Sequence, residues 1–85
     1  MQIELSPDAK KDLIYWQKTG NKIILKRIEK LIDAIIDNPF EGIGKPELLN
    51  RNLSGCWSRR IDQEHRLVYE VFDEVITVLS LKGHY

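Results

Sequence analysis

Residues 56–81, CWSRRIDQEHRLVYEVFDEVITVLSL, decide the fold class of this chain of 85 residues. The stretch contains three runs rich in β-branched and aromatic residues, CWSRRID, HRLVYEVF and VITVLSL, and such runs favour β-strands. The short polar segments DQE and DE that mark the boundaries have the length of hairpin turns. We therefore predict three consecutive antiparallel strands.

A long loop is predicted immediately before these strands. Residues 39–55, PFEGIGKPELLNRNLSG, hold three glycines and two prolines, and neither a helical nor a strand period runs through them. Long loops in compact domains more often carry function than arise by accident. The loop is therefore a candidate functional segment.

Two amphipathic helices are predicted ahead of the loop. Residues 6–20 read as a helix with Ser6 as its N-cap and Gly20 beyond its end, and residues 21–38 as a helix with Asn21 as its N-cap. The short connection predicts an antiparallel helical hairpin. The positions predicted to face the core are Ala9, Leu13 and Trp16 in the first helix and Ile24, Ile28, Leu31, Ile32, Ile35 and Ile36 in the second.

The complete order of elements predicts an α+β domain. Residues 2–5, QIEL, alternate as an edge or opening strand does. The order is then strand, two helices, long loop and three strands, which favours a twisted antiparallel sheet with the helical hairpin on one face. The length suits a single domain that covers residues 1–85.

Composition excludes several classes of protein. The chain is 42% hydrophobic and 31% charged, with a net charge of zero, which argues against a broad nonspecific nucleic-acid binder. Cys56 is the single cysteine, and with His65 and His84 it has no zinc-ligand spacing, so we expect no metal and no cofactor. Neither a signal-peptide pattern nor a membrane-spanning run is present, so we expect a cytoplasmic protein with no membrane partner.

Strand alternation predicts which arginines share a face. In HRLVYEVF, Leu67 and Tyr69 lie on one face and Arg66 on the other, so Arg66 points away from the core if the apolar face packs on the helices. Arg59 and Arg60 fall on opposite faces of their strand. Only one of them can join Arg66, and alternation does not say which.

Four motifs, GKPE, LSG.WSRRI, EHRLVY and a final HY, together with YWQKT, resemble the YoeB-type toxins of the RelE/ParE superfamily over essentially the whole chain. The resemblance implies a RelE-like, microbial RNase-type fold. It also implies the toxin of a type II toxin–antitoxin system, an endoribonuclease (mRNA interferase) that cuts mRNA in the ribosomal A site without a metal and inhibits translation. The implied partners are a YefM-type antitoxin, the 70S ribosome with its mRNA, and a second copy in a homodimer.

The resemblance also implies site residues. The catalytic residues of the family match Glu47, Arg66, His84 and Tyr85, and the residues expected to contact RNA are Arg60, Arg51 and Lys45. Where members of the family have a lysine shortly after the glutamate, this chain has Asn50 followed by Arg51. Whether Arg51 replaces that lysine at the phosphate stays open.

The chemistry of these side chains suits RNA cleavage. RNA supplies its own nucleophile, the 2′-hydroxyl, so the protein needs a base, an acid and positive charge at the phosphate. Glu47 is the candidate base and His84 the candidate acid. Arg66 suits the charge that develops on the phosphoryl oxygens, and Tyr85 suits stacking on a base or a hydrogen bond to the phosphate.

Each residue alone also has an ordinary interpretation. Glu47 is then a solvated loop charge, His84 a surface histidine and Tyr85 a packed or frayed end. The arginines of the strands are then ion-pair partners of Asp62, Glu64 or Glu70. His65 and Trp57 are assigned to structure, with Trp57 in the core or supporting the site.

Two other functions fit the same fold. One is a ParE-like inhibitor of DNA gyrase, and the other is a catalytically silent module that binds an antitoxin. Neither requires Glu47, Arg66, His84 and Tyr85 to occur together, so the complete set favours the nuclease.

Overall fold

A computed structural model describes residues 1–49 and 55–83 of the chain. Its elements are β1 (Gln2–Leu5), α1 (Pro7–Thr19), α2 (Lys22–Asp37), β2 (Glu47–Leu48), β3 (Cys56–Arg60), β4 (Arg66–Phe72) and β5 (Val75–Ser80). This order confirms the α+β class and the predicted strands and helices. No helix within the described residues is long and apolar enough to cross a bilayer.

The five strands form one mixed sheet in the order β1-β5-β4-β3-β2. The pairs β3–β4 and β4–β5 are antiparallel, as predicted. β1 instead lies parallel to β5, with Gln2 opposite Val75. The expectation of a wholly antiparallel sheet was therefore wrong at this edge, because the alternation of a four-residue strand does not reveal the direction of its partner.

The predicted loop contains a short strand. Glu47 lies opposite Ser58 and Leu48 opposite Trp57 in an antiparallel pair, and the N–H of Leu49 donates to the carbonyl of Cys56 at 2.8 Å. The prediction of a loop without a strand was wrong for these residues. Two residues are too few to show a period, and their extended conformation depends on hydrogen bonds to β3.

The predicted helix ends are confirmed by the capping contacts. The hydroxyl of Ser6 accepts from the N–H of Ala9, and the side chain of Asn21 accepts from the N–H of Ile24. Gly20 follows α1 in the left-handed region at φ 67°, where glycine carries no Cβ penalty. These contacts satisfy helix-end groups that would otherwise lack partners.

The core lies between the helices and one face of the sheet. Its buried residues are Ala9, Trp16, Ile24, Ile28, Leu31, Ile35, Ile61, Leu67, Tyr69, Ile76, Val78 and Leu81, and Leu13 and Ile32 pack against them. Ile36 is 39% exposed, so its assignment to the core was wrong. Consecutive helical residues point 100° apart, and in the last turn the fully buried Ile35 takes the direction of the sheet.

Candidate functional site

The pairing of β3 with β4 settles which arginine lies beside Arg66. Arg60 is directly opposite Arg66, and Arg59 is directly opposite Leu67. Opposed residues of an antiparallel pair share a face, and Leu67 is in the core. Arg60 and Arg66 therefore lie together on the face turned away from the helices, and Arg59 points into the protein.

Glu47 lies on the same face as the two arginines. It is opposite Ser58, which is two residues from Arg60 and so has the same orientation along β3. Diagonal neighbours of this kind are about 7–8 Å apart, within reach of long side chains. The site thus places one carboxylate and two guanidinium groups on the same face of three adjacent strands.

Arg66 is oriented by backbone groups rather than by an acidic side chain. Its Nη1 donates to the carbonyl oxygens of Asp62 and His65 at 3.1 and 3.3 Å. Within residues 1–49 and 55–83, the one contact of this kind between a basic side chain and a carboxylate is that of His65 Nε2 with Glu64 at 3.8 Å, so the ion pairs considered for the arginines are not present there. Because carbonyls are neutral, the guanidinium keeps its full charge for an anion.

The segment that follows β5 is hydrogen-bonded beside Arg66. The N–H of Arg66 donates to the carbonyl of Gly83 at 2.7 Å, and the N–H of Gly83 donates to Nδ1 of His65 at 2.9 Å. His65 also packs edge-on against Trp16. His65 therefore has the structural role that was expected of it.

Helix α1 holds the same segment from the other side. A carboxylate oxygen of Asp12 accepts from the N–H of Leu81 at 2.9 Å, and Nε1 of Trp16 donates to the carbonyl of Leu81 at the same distance. Residues 81–83 are thus fixed by three side chains. We call this arrangement of Asp12, Trp16 and His65 the terminal clamp.

The remaining predicted residues divide into two groups. Lys45 is exposed two residues before Glu47, with a left-handed backbone at φ 52° next to Pro46. Arg51, His84 and Tyr85, together with Asn50, lie outside the described residues.

Sequence reasoning missed the role of Arg59. Its side chain is fully buried, and its guanidinium group donates to the Tyr69 hydroxyl and to backbone carbonyls of residues 38–43. Burial raises the pKa of the Tyr69 hydroxyl, and the hydrogen bond and charge of Arg59 oppose that rise. The one signal in the sequence for this role was strand alternation, which placed Arg59 and Arg60 on opposite faces of their strand.

Cys56 contributes no nucleophile to this face. It is buried opposite Glu70. Burial, and then the charge of Glu70, raise the pKa of its thiol above the ordinary value. The thiol therefore stays protonated at neutral pH, and a protonated thiol is a poor nucleophile.

Comparison with known proteins shows one consistent family. Residues 5–85 match the family described as "YoeB-like toxin of bacterial type II toxin-antitoxin system". Toxin YoeB of Escherichia coli strain K12 is 47% identical over 85 residues, which span all of both chains. The solved YoeB/ParE toxin from Agrobacterium tumefaciens is 36% identical, with a TM-score of 0.94 and complete coverage of both chains.

Staphylococcus aureus YoeB, which is similar to this chain, has been solved in two assemblies. One is a heterotetrameric YoeB–YefM complex, whose toxin is 48% identical with a TM-score of 0.89. The other is a YoeB dimer, 48% identical with a TM-score of 0.90. In both cases the match covers 100% of this chain and 98% of the other.

Proposed function

The chain belongs to the YoeB-like toxins of bacterial type II toxin–antitoxin systems, and on that premise we propose that it is an mRNA endoribonuclease. It cuts mRNA in the ribosomal A site by general acid–base catalysis, without a metal, and so stops translation. The observation that carries the proposal is the common face of Glu47, Arg60 and Arg66.

Glu47 is the base of the proposed reaction. Its carboxylate takes the proton of the 2′-hydroxyl, whose oxygen then attacks the adjacent phosphorus. Two features support this role. Glu47 is exposed at the sheet edge, where a large substrate has access, and it makes no ion pair within the described part of the chain.

Arg66 and Arg60 stabilise the charge that develops on the phosphoryl oxygens. A guanidinium group presents several donors in a planar fork that matches phosphate geometry. The carbonyls of Asp62 and His65 orient Arg66 before substrate binds, so little reorganisation is needed in the transition state. Lys45 and Arg51 add contacts to the RNA backbone.

His84 and Tyr85 complete the proposed site. His84 protonates the leaving 5′-oxygen, and the products are a 2′,3′-cyclic phosphate or 3′-phosphate and a 5′-hydroxyl. Tyr85 stacks on a base or donates a hydrogen bond to the phosphate. The support is the covalent link of His84 to Gly83, whose N–H and carbonyl are both hydrogen-bonded beside Arg66.

The proposed partners follow from the relatives and from the charge. As in the S. aureus complex with YefM, a YefM-type antitoxin binds the toxin, and its segment over Arg60 and Arg66 is acidic. A homodimer follows the S. aureus YoeB dimer. With a net charge of zero, affinity for naked RNA is weak, so the ribosome presents the message.

Primer extension on mRNA from a cell-free translation reaction tests this function. The purified protein is added with and without ribosomes, beside Glu47→Gln and His84→Ala. Glu29→Gln, which changes an exposed glutamate of α2, is the matched control. We expect ribosome-dependent cuts within codons that are retained in the control and lost in both site variants.

Three outcomes would contradict the proposal. Intact mRNA with a folded wild-type protein would favour gyrase inhibition or a silent binding module. Full cleavage by Glu47→Gln would remove the base, and full cleavage by His84→Ala would remove the acid.

A further inference from the structure

We propose that buried Arg59 is a positioning residue that fixes the backbone on which Glu47 stands. The inference rests on the function proposed above for Glu47. It starts from a charge that the proposed chemistry does not use: Arg59 is fully buried on the side of the sheet opposite to Arg60.

The guanidinium group of Arg59 is surrounded by carbonyl oxygens of one short segment. Nη2 donates to Asn38 at 2.6 Å and to Glu41 at 3.1 Å, and Nη1 donates to Ile43 at 3.2 Å. No carboxylate of the described residues forms an ion pair with it. The segment therefore folds around the cation, and the dipoles of its backbone carbonyls compensate the buried positive charge.

Tyr69 extends the same arrangement. Its hydroxyl accepts from Nε of Arg59 at 3.2 Å and donates to the carbonyl of Pro39 at 2.6 Å. The carbonyls of residues 38, 39, 41 and 43 are thus all held by two side chains from β3 and β4. We call this arrangement the Arg59 hub.

The hub is joined to Glu47 through very little chain. The carbonyl of Gly44 accepts from the backbone N–H of Arg60 at 2.7 Å, so the segment is also tied to β3. Only Lys45 and Pro46 then separate Gly44 from Glu47, and the proline ring fixes one dihedral angle of that link. A displacement of the segment is therefore transmitted to Glu47.

Stability alone does not account for a cation at this position. A buried charge stabilises a fold little better than an apolar side chain of similar volume, because removing it from water is costly. Once the cation is there, however, loss of any one carbonyl leaves a buried donor without a partner. Arg59 thus restricts the segment to one conformation, which is what a base aimed at a 2′-hydroxyl requires.

Steady-state cleavage kinetics test the positioning role. Arg59→Met removes the donors and keeps an apolar stem, and Arg59→Lys keeps the charge without the fork. Tyr69→Phe removes the hydrogen bonds of the hydroxyl to Arg59 Nε and to Pro39 and leaves the three guanidinium contacts to the backbone carbonyls. Misplacement of a reacting group by about 1 Å can cost on the order of 10²-fold in rate. We expect kcat to fall by that order in both Arg59 variants and less in Tyr69→Phe, with KM unchanged.

A matched control separates positioning from loss of stability. Ile76 is fully buried in β5, and its hydrocarbon side chain makes none of the hydrogen bonds of the hub, so Ile76→Val and Ile76→Ala give a series of reduced Tm values. We expect these variants to retain the wild-type kcat at a temperature where they are folded. If instead kcat falls with Tm in the same proportion for the Arg59 variants and the Ile76 variants, Arg59 is only structural and the inference fails.

Chemical rescue gives a second readout. In Arg59→Ala, millimolar guanidinium chloride is expected to occupy the vacated space and restore part of the cleavage rate, whereas urea and sodium chloride at equal concentration are not. Rescue by all three or by none would contradict a specific role for the guanidinium group.

Hydrogen exchange keeps the inference testable if the wild type cuts no RNA. Amide exchange in residues 38–48 is expected to accelerate in Arg59→Met and not in Ile76→Val. Unchanged exchange there would overturn the hub whatever the activity. Accelerated exchange together with an inactive wild type would uphold the ordering of the segment and reject the nuclease.

Discussion

The imidazole Nδ1 of His65 accepts a hydrogen bond of 2.9 Å from the backbone N–H of Gly83, 18 positions further along the chain. His65 stands in the turn between β3 and β4, directly before Arg66, and Gly83 directly precedes His84. The side chain of His65 therefore links Arg66, which is proposed to bind the phosphate, to the segment that carries His84, the proposed acid. The first prediction concerns this contact.

Replacing His65 by leucine removes the acceptor at Gly83. We expect the free energy of unfolding to fall by about 1 kcal/mol, the usual net contribution of an intramolecular hydrogen bond, and cleavage to slow because residues 81–83 are less well fixed. His65→Asn is the matched variant, since its side-chain oxygen stands near the position of Nδ1. Urea unfolding and cleavage assays that rank His65→Asn no better than His65→Leu would contradict this role.

Arg60 is expected to reduce stability while it serves function. It lies directly opposite Arg66, and like charges at opposed positions of a sheet are destabilising. Arg60→Gln should therefore raise the free energy of unfolding by about 0.2–1 kcal/mol while it lowers cleavage. Lys26→Gln removes one exposed positive charge on α2 and controls for net charge. A less stable Arg60→Gln protein would contradict the proposed repulsion.

Gly44 is expected to tolerate alanine much less well than Gly20. Both glycines have positive φ angles, +84° and +67°. An alanine at either position is therefore expected to lower the free energy of unfolding by about 1–2 kcal/mol through backbone strain alone. A Cβ at Gly44 would in addition lie 2.7 Å from Cδ2 of buried Leu31, whereas one at Gly20 meets nothing within 4 Å. Thermal unfolding should show a larger loss for Gly44→Ala. Equal losses would mean that Leu31 moves aside without cost.

Stability is expected to fall as the pH rises above about 9. Burial raises the pKa of Cys56 from 9.0, with a further rise from Glu70, and burial raises that of Tyr69 from 10.0 against the opposing effect of Arg59. The folded protein therefore holds both protons more tightly than the unfolded chain. The contribution of these two groups to the free energy of unfolding is present in full below their pKa values in the unfolded chain. It is lost as the pH rises through their higher pKa values in the folded protein.

Urea unfolding at a series of pH values between about 8 and 11 measures this effect. Cys56→Ala should flatten the fall that begins near pH 9, and Tyr69→Phe should flatten the part near pH 10. A wild-type stability that is constant or rises over this interval would contradict the assignment.

The sequence was most informative where contacts are local. The caps at Ser6 and Asn21 act within three residues of themselves, so their side chains could be assigned from the sequence. The choice between Arg59 and Arg60 depended instead on the register of β3 against β4, which alternation leaves undetermined. Glu47 was found through the family motif, while its strand, formed by pairing with β3, was not predicted.

Arg59 shows a different limit of sequence reasoning. Charged side chains are rarely buried, so an arginine in a strand is ordinarily assigned to the surface or to an ion pair. Its partners are carbonyl oxygens, which every residue possesses and which no residue type marks. Only the folded path of residues 38–44 shows why the cation stands where it does.

The parallel pairing of β1 with β5 also governs when this toxin matures during its own synthesis. The hydroxyl of Ser6 donates to the carbonyl of Leu79, a separation of 73 positions. At about 5–20 residues per second, the N-terminal strand waits roughly 4–15 s for its neighbour to be made. The edge of the sheet and the terminal clamp therefore cannot form until residues 79–83 have been translated.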